Sequence, residues 1–133
     1  MASHTSLIPN GLAPPAANYA HAVVTDDARH WLHTSGVVPV RLDGSVPDSL
    51  GQQAEVVWSI LATLLAEATM APTDVVSVTT YVIDEAANSA DLADVMAARD
   101  RALAGHKAAS TLLIVPRLAR PEWKMEIALV ASR

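Results

Sequence analysis

One carboxylate in the C-terminal part of the chain interrupts an otherwise apolar strand pattern. The side chains from Trp123 to Ala131 alternate, so Glu126 is expected to project from the face opposite to its apolar neighbours Met125 and Ile127. A carboxylate in an apolar cleft holds its proton more readily than one in water, so it can transfer protons near neutral pH. By pattern alone, the commoner explanation is a charge on an exposed strand face beside Lys124, since carboxylates are rarely buried unpaired.

The chain contains five histidines, but their spacing does not predict a metal site. His30 and His33 fall on opposite faces of a predicted strand, and no His-x-Glu or paired Asp motif completes a ligand set. His21 and His33 could each donate a hydrogen bond or act as a base, although strand histidines more often have a structural role. We therefore expect no metal and retain His21 and His33 as candidate site residues.

Other catalytic motifs of recognisable spacing are missing from the sequence. It contains no G-x-S-x-G nucleophile motif, no glycine-rich phosphate loop and no cysteine. This pattern does not favour serine or cysteine nucleophiles, and it predicts no nucleotide or other cofactor.

The composition is that of an acidic and apolar chain. Hydrophobic residues make up 51% of the 133 residues and charged residues 17%, with a formal net charge of -5. So few charges on a small domain indicate that some apolar surface is buried against other subunits. The acidic balance argues against a nucleic-acid partner. The absence of a membrane-length apolar run and of a signal-peptide pattern leads us to expect a cytoplasmic protein with no membrane partner.

The N-terminal part of the sequence predicts an arm followed by two strands. Residues 1–17 are expected to form an arm with little regular structure, in which His4 is solvated, and residues 18–133 to form one domain. Asn18–Thr25 and His30–Ser35 have strand patterns separated by turn residues, so they are expected to pair as a hairpin.

The middle of the chain predicts two helices separated by a strand. A helix is expected to begin after Ser49 and to run to about Ala68, because apolar residues recur at helical spacing. Asp74–Ile83 is rich in β-branched residues and predicts a central strand. A second helix is expected over Ala90–Ala104, with Asn88 or its neighbour as the N-cap.

The C-terminal part predicts two further strands. Ser110–Val115 is a near-continuous apolar run, which is typical of a strand covered on both faces. The loop Pro116–Pro121 separates it from the alternating strand. The predicted order is β-β-α-β-α-β-β, an α/β (α+β) domain with an opening and a closing hairpin and with both helices on one face of a mixed sheet.

Two segments resemble the C-terminal signature of the Rid family of reactive intermediate deaminases, also called YjgF. They are A-A-S-T-L-L-I-V-P-R-L at positions 108–118 and M-E-I-A-L-V-A at positions 125–131. The resemblance extends to Y-A-H-A at positions 19–22 and S-G-V-V-P at positions 35–39. It implies a chorismate-mutase-like single domain that forms a homotrimer, with small-molecule sites in clefts between subunits.

The resemblance also implies which residues line the cleft. It assigns proton transfer to Glu126, and it assigns substrate binding to Tyr19, Ser35, Gly36, Ser110, Thr111 and Leu112. Arg120 is a further candidate beside the two histidines. Backbone N–H groups near Gly36 and Leu112 could hold a carboxylate or a developing negative charge.

Two departures from the family pattern bear on the substrate. The family arginine that binds the substrate carboxylate falls on Ser110, or on Ala109 after a slip of one residue, and the family asparagine of the second helix falls on Met96. A serine hydroxyl cannot reproduce the bidentate contact of a guanidinium. Either the substrate lacks that carboxylate or another cation replaces the arginine. The candidate cations, each more often a solvated charge, are Lys107, Arg117, Arg120 and Lys124.

The sequence therefore supports two main hypotheses. The first is a cofactor-independent enzyme that hydrolyses an imine, an enamine or a related reactive amino intermediate, with Glu126 moving protons. The second is a non-catalytic small-molecule-binding or accessory protein that keeps the cleft. An RNA-directed activity is disfavoured by the acidic charge.

Overall fold

The computed structural model describes residues 2–133, which fold into six strands and two α-helices. The strands are β1 (Ser3–Leu7), β2 (Ala22–Asp26), β3 (Trp31–His33), β4 (Val75–Ile83), β5 (Ala109–Val115) and β6 (Met125–Ser132). The helices are α1 (Leu50–Glu67) and α2 (Ser89–Leu103), and short 3₁₀ turns flank β4 at Pro72–Asp74 and Asp84–Ala86.

Four of the strands form the main sheet in the order β3-β6-β4-β5. Strand β6 runs antiparallel to β3 and β4, whereas β4 and β5 are parallel. Strands β1 and β2 form a separate antiparallel pair. Both helices pack on one face of the main sheet, so the predicted single α+β domain with a mixed sheet is confirmed.

Strand β6 shows the predicted alternation between a buried face and an open face. The side chains that face the helices are fully or almost fully buried, namely Met125, Ile127, Leu129 and Ala131. They pack against the apolar stripe of α1, in which Ala54, Val57 and Leu61 are completely buried. Glu126 projects from the opposite face and is half-buried. The helices therefore leave the face that carries the carboxylate uncovered.

The predicted pairing of the first strands is wrong. Strand β2 pairs with β1, and β3 pairs with β6, so the two do not form a hairpin. Ser3–Leu7 is a strand within the segment expected to lack regular structure, and His4 is not solvated. Its Nε2 lies 2.9 Å from the carbonyl oxygen of Ser132 and its Nδ1 lies 2.9 Å from Oγ1 of Thr25. Strand propensity is local, whereas the choice of partner is not: paired residues lie 15 to 23 positions apart in β1 and β2, and 97 to 101 positions apart in β3 and β6.

Strand β5 is not covered on both faces in the single chain, so the prediction made for Ser110–Val115 is also wrong. Strand β5 is an edge strand, and its side chains Leu113 and Ile114 are 43% and 45% exposed. It does not pair with β6 as a closing hairpin, because β6 inserts between β3 and β4. A long apolar edge of this kind is normally covered by another chain or element.

The helix ends follow the predicted capping residues. The hydroxyl of Ser49 accepts the N–H of Gln52 at 3.2 Å, and the side chain of Asn88 accepts the N–H of Asp91 at 2.9 Å. The end of α2 lies one residue before the predicted end, because Ala104 adopts the left-handed conformation with φ 51°. Local side-chain chemistry is therefore sufficient to locate both helices.

A buried glutamine joins α1 to the start of β6. The Nε2 of Gln53 donates to the carbonyl oxygens of Pro47 and Glu122 at 2.8 and 2.9 Å, and its Oε1 accepts the N–H of Lys124 at 2.9 Å. The side chain is completely buried. These three bonds fix the backbone two residues before Glu126.

We expect Gln53→Leu to lower the free energy of unfolding by about 3 kcal/mol, because a completely buried side chain loses three hydrogen bonds, one buried and two part-buried, at nearly constant volume. Chemical denaturation measures this change, and the exposed neighbour Gln52→Leu is the matched control. A Gln53→Leu protein as stable as the control would contradict the structural role of this side chain.

Candidate functional site

The carboxylate of Glu126 lies directly against the backbone of Gly36. A Cβ atom placed on Gly36 would lie 3.0 Å from both Cδ and Oε2 of Glu126, and 3.1 Å from Oε1. Contacts this short are tighter than ordinary van der Waals packing, so only a glycine leaves room for the carboxylate in this position. Ser35, which precedes the glycine, is exposed.

Backbone hydrogen bonds hold the segment that contains Gly36 alongside β6. The N–H of Val37 donates to the carbonyl oxygen of Ile127 at 2.7 Å, and the N–H of Ile127 donates back at 3.1 Å. Two residues before the glycine, the hydroxyl of Thr34 accepts the N–H of Leu129 at 3.0 Å. We call Ser35, Gly36 and Glu126 the carboxylate half-site. Its glycine and its glutamate are brought together by strand pairing across ninety residues of sequence.

The strand register places further residues beside the carboxylate half-site on the open face. Glu126 is opposite Tyr81 of β4, which is in turn opposite the exposed Leu113 of β5. Thr111 is exposed on the same face one pair further along. His33 is opposite Val130, and its ring stacks on Trp31 with 6.3 Å between ring centroids. Val130 is four positions from Glu126 along β6, a distance of about 13 Å, so His33 is not in contact with the carboxylate.

Ser110 lies on the other face of the sheet. It is opposite Val78, whose side chain is 1% exposed in the core, and Leu112 is opposite the buried Thr80. Ser110 is also two strands away from Glu126, about 10 Å, and three residues along the strands, about another 10 Å. A single protomer therefore does not bring Ser110 and Glu126 to the same small molecule.

An arginine from α2 reaches Ser110 from the helix side. Arg99 is 3% exposed, and its Nη1 donates to the hydroxyl of Ser110 at 3.3 Å. Its Nε and Nη2 donate to Oδ1 of Asp100 at 3.2 and 3.0 Å. This arginine was missed among the cations considered from the sequence. The signal was present, because position 99 falls at helical spacing between the buried Val95 and Leu103.

Tyr19 and His21 lie beside the start of β5, near Ser110. The intervening Ala20 forms a parallel bridge with Ala109, and its N–H donates to the carbonyl oxygen of Ala108 at 3.1 Å. The hydroxyl of Tyr19 accepts the N–H of Ala16 at 3.4 Å, and His21 is exposed. We call Tyr19, Arg99 and Ser110 the hydroxyl half-site.

The four cations proposed from the sequence occupy other places. Arg117 and Arg120 line a cavity of about 500 Å³ in the loop after β5, and the guanidinium of Arg120 lies 5.6 Å from the ring centroid of Trp123. Lys124 donates to the carbonyl oxygen of Asp48, and the side chain of Lys107 is exposed. None of the four donates a hydrogen bond to Ser110 within residues 2–133.

Across residues 2–133, no three His, Cys, Asp or Glu side chains come together as a metal-binding group. No helix in the same residues combines the length and the apolar character needed to cross a membrane.

The fold and the uncovered carboxylate-bearing sheet face define a Rid-type, or YjgF-type, α+β domain. The family model described as Endoribonuclease L-PSP matches residues 11–133, and the chain belongs to this family. The sequence resemblance to Rid proteins is thereby confirmed.

Solved structures of similar fold agree with this assignment. YyfB from Yersinia pestis, a protein of unknown function in the Rid family, has a TM-score of 0.88 and 28% identity over 98% of both chains. Yeast Mmf1 has a TM-score of 0.67 and 25% identity over 98% of both chains. Escherichia coli TdcF, solved with bound serine, has a TM-score of 0.68 and 22% identity over 97% of this chain and 99% of its own, which shows the fold alone. No curated protein sequence matches the chain.

Proposed function

We propose that the protein hydrolyses an imine, an enamine or a related reactive amino compound without a cofactor, and that Glu126 moves the protons. The observation that carries this proposal is the position of the Glu126 carboxylate, held against Gly36 on the uncovered face of the sheet. Since β6 and the Val37 segment are hydrogen-bonded to each other, this carboxylate is held on rigid elements.

The chemistry needs one group that can both accept and donate a proton. Water adds to the carbon of the C=N bond, and the carboxylate of Glu126 takes the proton that the water loses. The protonated carboxyl group gives this proton to the nitrogen, which completes a carbinolamine. Glu126 then takes the remaining proton from the new hydroxyl group and passes it to the nitrogen, so that the C–N bond breaks, the amine or ammonia leaves and the oxygen becomes a carbonyl. No electrons are exchanged with a second substrate, so the reaction balances with water alone.

We further propose that the working site forms between copies of the chain in a homotrimer. The carboxylate half-site and the hydroxyl half-site lie on opposite faces of one sheet, so a neighbouring protomer is needed to bring them to one substrate. The exposed Leu113 and Ile114 on the edge strand β5 supply apolar surface for such an interface.

The enzyme assay uses a panel of imines generated in the cuvette, with ammonia release as the readout. We expect at least one imine to be hydrolysed faster than its spontaneous rate in water. Because the resemblance places no arginine at the family's carboxylate-binding position, we expect weak activity or none on 2-iminopropanoate. A protein that accelerates none of the imines in the panel would contradict the enzyme assignment.

The shared cleft predicts complementation between two inactive variants. Glu126→Ala and Ser110→Ala chains, co-expressed with different tags and purified as mixed assemblies, should regain about a quarter of wild-type activity at low substrate, because random pairing restores that share of interfaces. A site confined to one protomer would gain nothing from mixing. That result, or a monomer by light scattering, would contradict the shared cleft.

The alternative is a binding protein without catalysis. It is favoured by the resemblance, which aligns the family arginine with Ser110, or with Ala109 after a slip of one residue, and the family asparagine with Met96. TdcF was solved with bound serine, so serine is a suitable first ligand for calorimetry with this chain. Saturable binding together with no turnover across the imine panel would support the alternative. We propose no RNA substrate, because the net charge of -5 opposes binding to phosphates.

A further inference from the structure

The groove between α1 and α2 contains a cavity that takes no part in the proposed imine hydrolysis. Its volume is about 690 Å³, within the range of small-molecule sites. None of the residues in the two half-sites lines it. Since both helices cover the face of the main sheet opposite to Glu126, a ligand in this inter-helix cavity would not meet the Glu126 carboxylate.

Small side chains at helical spacing leave this space between the helices. Ala62 and Ala66 line the cavity from α1, and Ala98 and Ala102 line it from α2. Residues four apart lie on one face of a helix, so each pair presents only methyl groups along its stretch of wall. The buried Leu65 adds further apolar surface. Walls of this kind suit an apolar ligand, and the polar groups of the cavity decide its chemistry.

The indole N–H of Trp58 is the polar group that defines the ligand. Trp58 lines the cavity from α1, one helical turn before Ala62, and is 5% exposed. Its Nε1 is buried and has no hydrogen-bond acceptor among residues 2–133. Buried indole N–H groups usually have an acceptor, because an unpaired buried donor costs free energy. An acceptor oxygen on a ligand in this cavity would satisfy it.

The charges beside the cavity are paired with each other. Glu55 of α1 and Arg101 of α2 are its only charged lining residues within residues 2–133, and their side chains form a salt bridge between the helices. Both side chains are more than half exposed, so water solvates them. A ligand therefore meets no unpaired charge in the cavity, which favours a neutral molecule over an ion.

We propose that the inter-helix cavity binds a neutral, largely apolar small molecule whose carbonyl oxygen accepts a hydrogen bond from the indole N–H of Trp58. A carbonyl oxygen suits this site, because it brings no donor of its own that the apolar walls would leave unpaired. The ligand class is therefore a ketone, an aldehyde or an ester with an apolar body. The site is independent of imine hydrolysis at Glu126, so either proposal can fail alone.

The test uses two probes of one shape in NMR titrations with the full chain. Acetophenone carries a carbonyl oxygen where α-methylstyrene carries a CH₂ group, and both are neutral. The chain contains three tryptophans, and the indole N–H signal that is missing in Trp58→Phe identifies Trp58. We expect acetophenone to bind about fivefold more tightly than α-methylstyrene, the effect of one neutral hydrogen bond. It should move the Trp58 signal downfield and leave those of Trp31 and Trp123 in place.

Two variants separate the hydrogen bond from the shape of the cavity. Trp58→Phe should bind both probes equally, because it keeps an aromatic ring and lacks the N–H. Ala102→Leu, at a half-buried position of the wall, should abolish the binding of both probes by filling the space. The matched controls are Trp123→Phe in the loop after β5 and Ala93→Leu at an exposed position of α2 outside the cavity. Both controls should keep wild-type affinities.

Equal affinity of the wild-type protein for the two probes would overturn the proposal, and so would the absence of saturable binding. A response at Trp31 or Trp123 in place of Trp58 would put the ketone elsewhere, with the same consequence. If neither probe binds and Ala102→Leu changes the mass of the assembly in light scattering, the occupant is a second copy of the chain and the proposal is wrong. Should Trp58→Phe fail to fold, the wild-type signals and the comparison of the two probes decide.

Discussion

Glu126→Gln is expected to lower the kcat/KM of imine hydrolysis by a factor of about a thousand, because general acid–base groups contribute a hundredfold to ten-thousandfold. The amide keeps the size and shape that fit against Gly36 but can neither take a proton from water nor give one to the leaving nitrogen. Since the substitution preserves volume, the fold and the assembly should be unchanged.

The measurement is the initial rate of ammonia release on the best imine of the panel, with substrate binding measured separately by calorimetry. Glu122→Gln is the matched control, because Glu122 is exposed and only its backbone carbonyl takes part in the contact with Gln53. Full activity in Glu126→Gln would end the assignment of Glu126, and with it the proposed mechanism. Normal binding with lost turnover would support it.

Gly36→Ala is expected to lower kcat/KM by about a hundredfold, the effect of displacing a catalytic group by an ångström or so. Gly36 does not adopt a positive φ, in contrast to Gly44 and Gly105, so alanine introduces no backbone strain at this position. The new methyl group would lie 3.0 to 3.1 Å from three atoms of the Glu126 carboxyl group. Because that side chain is flexible, it should move away at little cost in stability.

Kinetics and thermal unfolding on the same variants separate these effects. Gly51→Ala is the control, because its Cβ would be in ordinary contact with Asp94 at 3.4 Å, and its activity should equal that of the wild type. The double variant Gly36→Ala, Glu126→Gln should be no less active than Glu126→Gln alone, since both changes remove one function. Unchanged activity in Gly36→Ala would show that the carboxylate works from another position.

In the proposed mechanism, one chain carries two half-sites and keeps them apart on opposite faces of the sheet. The carboxylate half-site is held by pairing along β6, and the hydroxyl half-site by the contact of α2 with the start of β5. Activity in a monomer would require the carboxylate half-site to work alone. The complementation experiment therefore tests both half-sites at once.

Local features of the sequence were sufficient for much of the fold. The caps at Ser49 and Asn88, the β-branched run of β4 and the alternation of β6 depend on neighbours within a few residues. Such signals are short-range chemistry, so they survive without knowledge of the rest of the chain. The face from which Glu126 projects followed from the same alternation.

Pairing between distant segments could not be predicted from such local signals. The N-terminal strand β1, the separation of β2 from β3 and the insertion of β6 into the sheet each depend on partners far away in sequence. Arg99 illustrates the same point for the site. Its spacing placed it on the buried face of α2, but nothing local indicated that its guanidinium meets Ser110.

By itself, the sequence predicted an acidic α+β domain that resembles the Rid family, with one carboxylate on a strand face. Only the tertiary structure decided that Gly36 is the surface against which the carboxylate lies and that a buried arginine supports Ser110. It also decided that these two places are on opposite faces of a sheet. The physical reason is that side-chain alternation is a property of one strand, whereas contact between strands and helices is set by long-range packing.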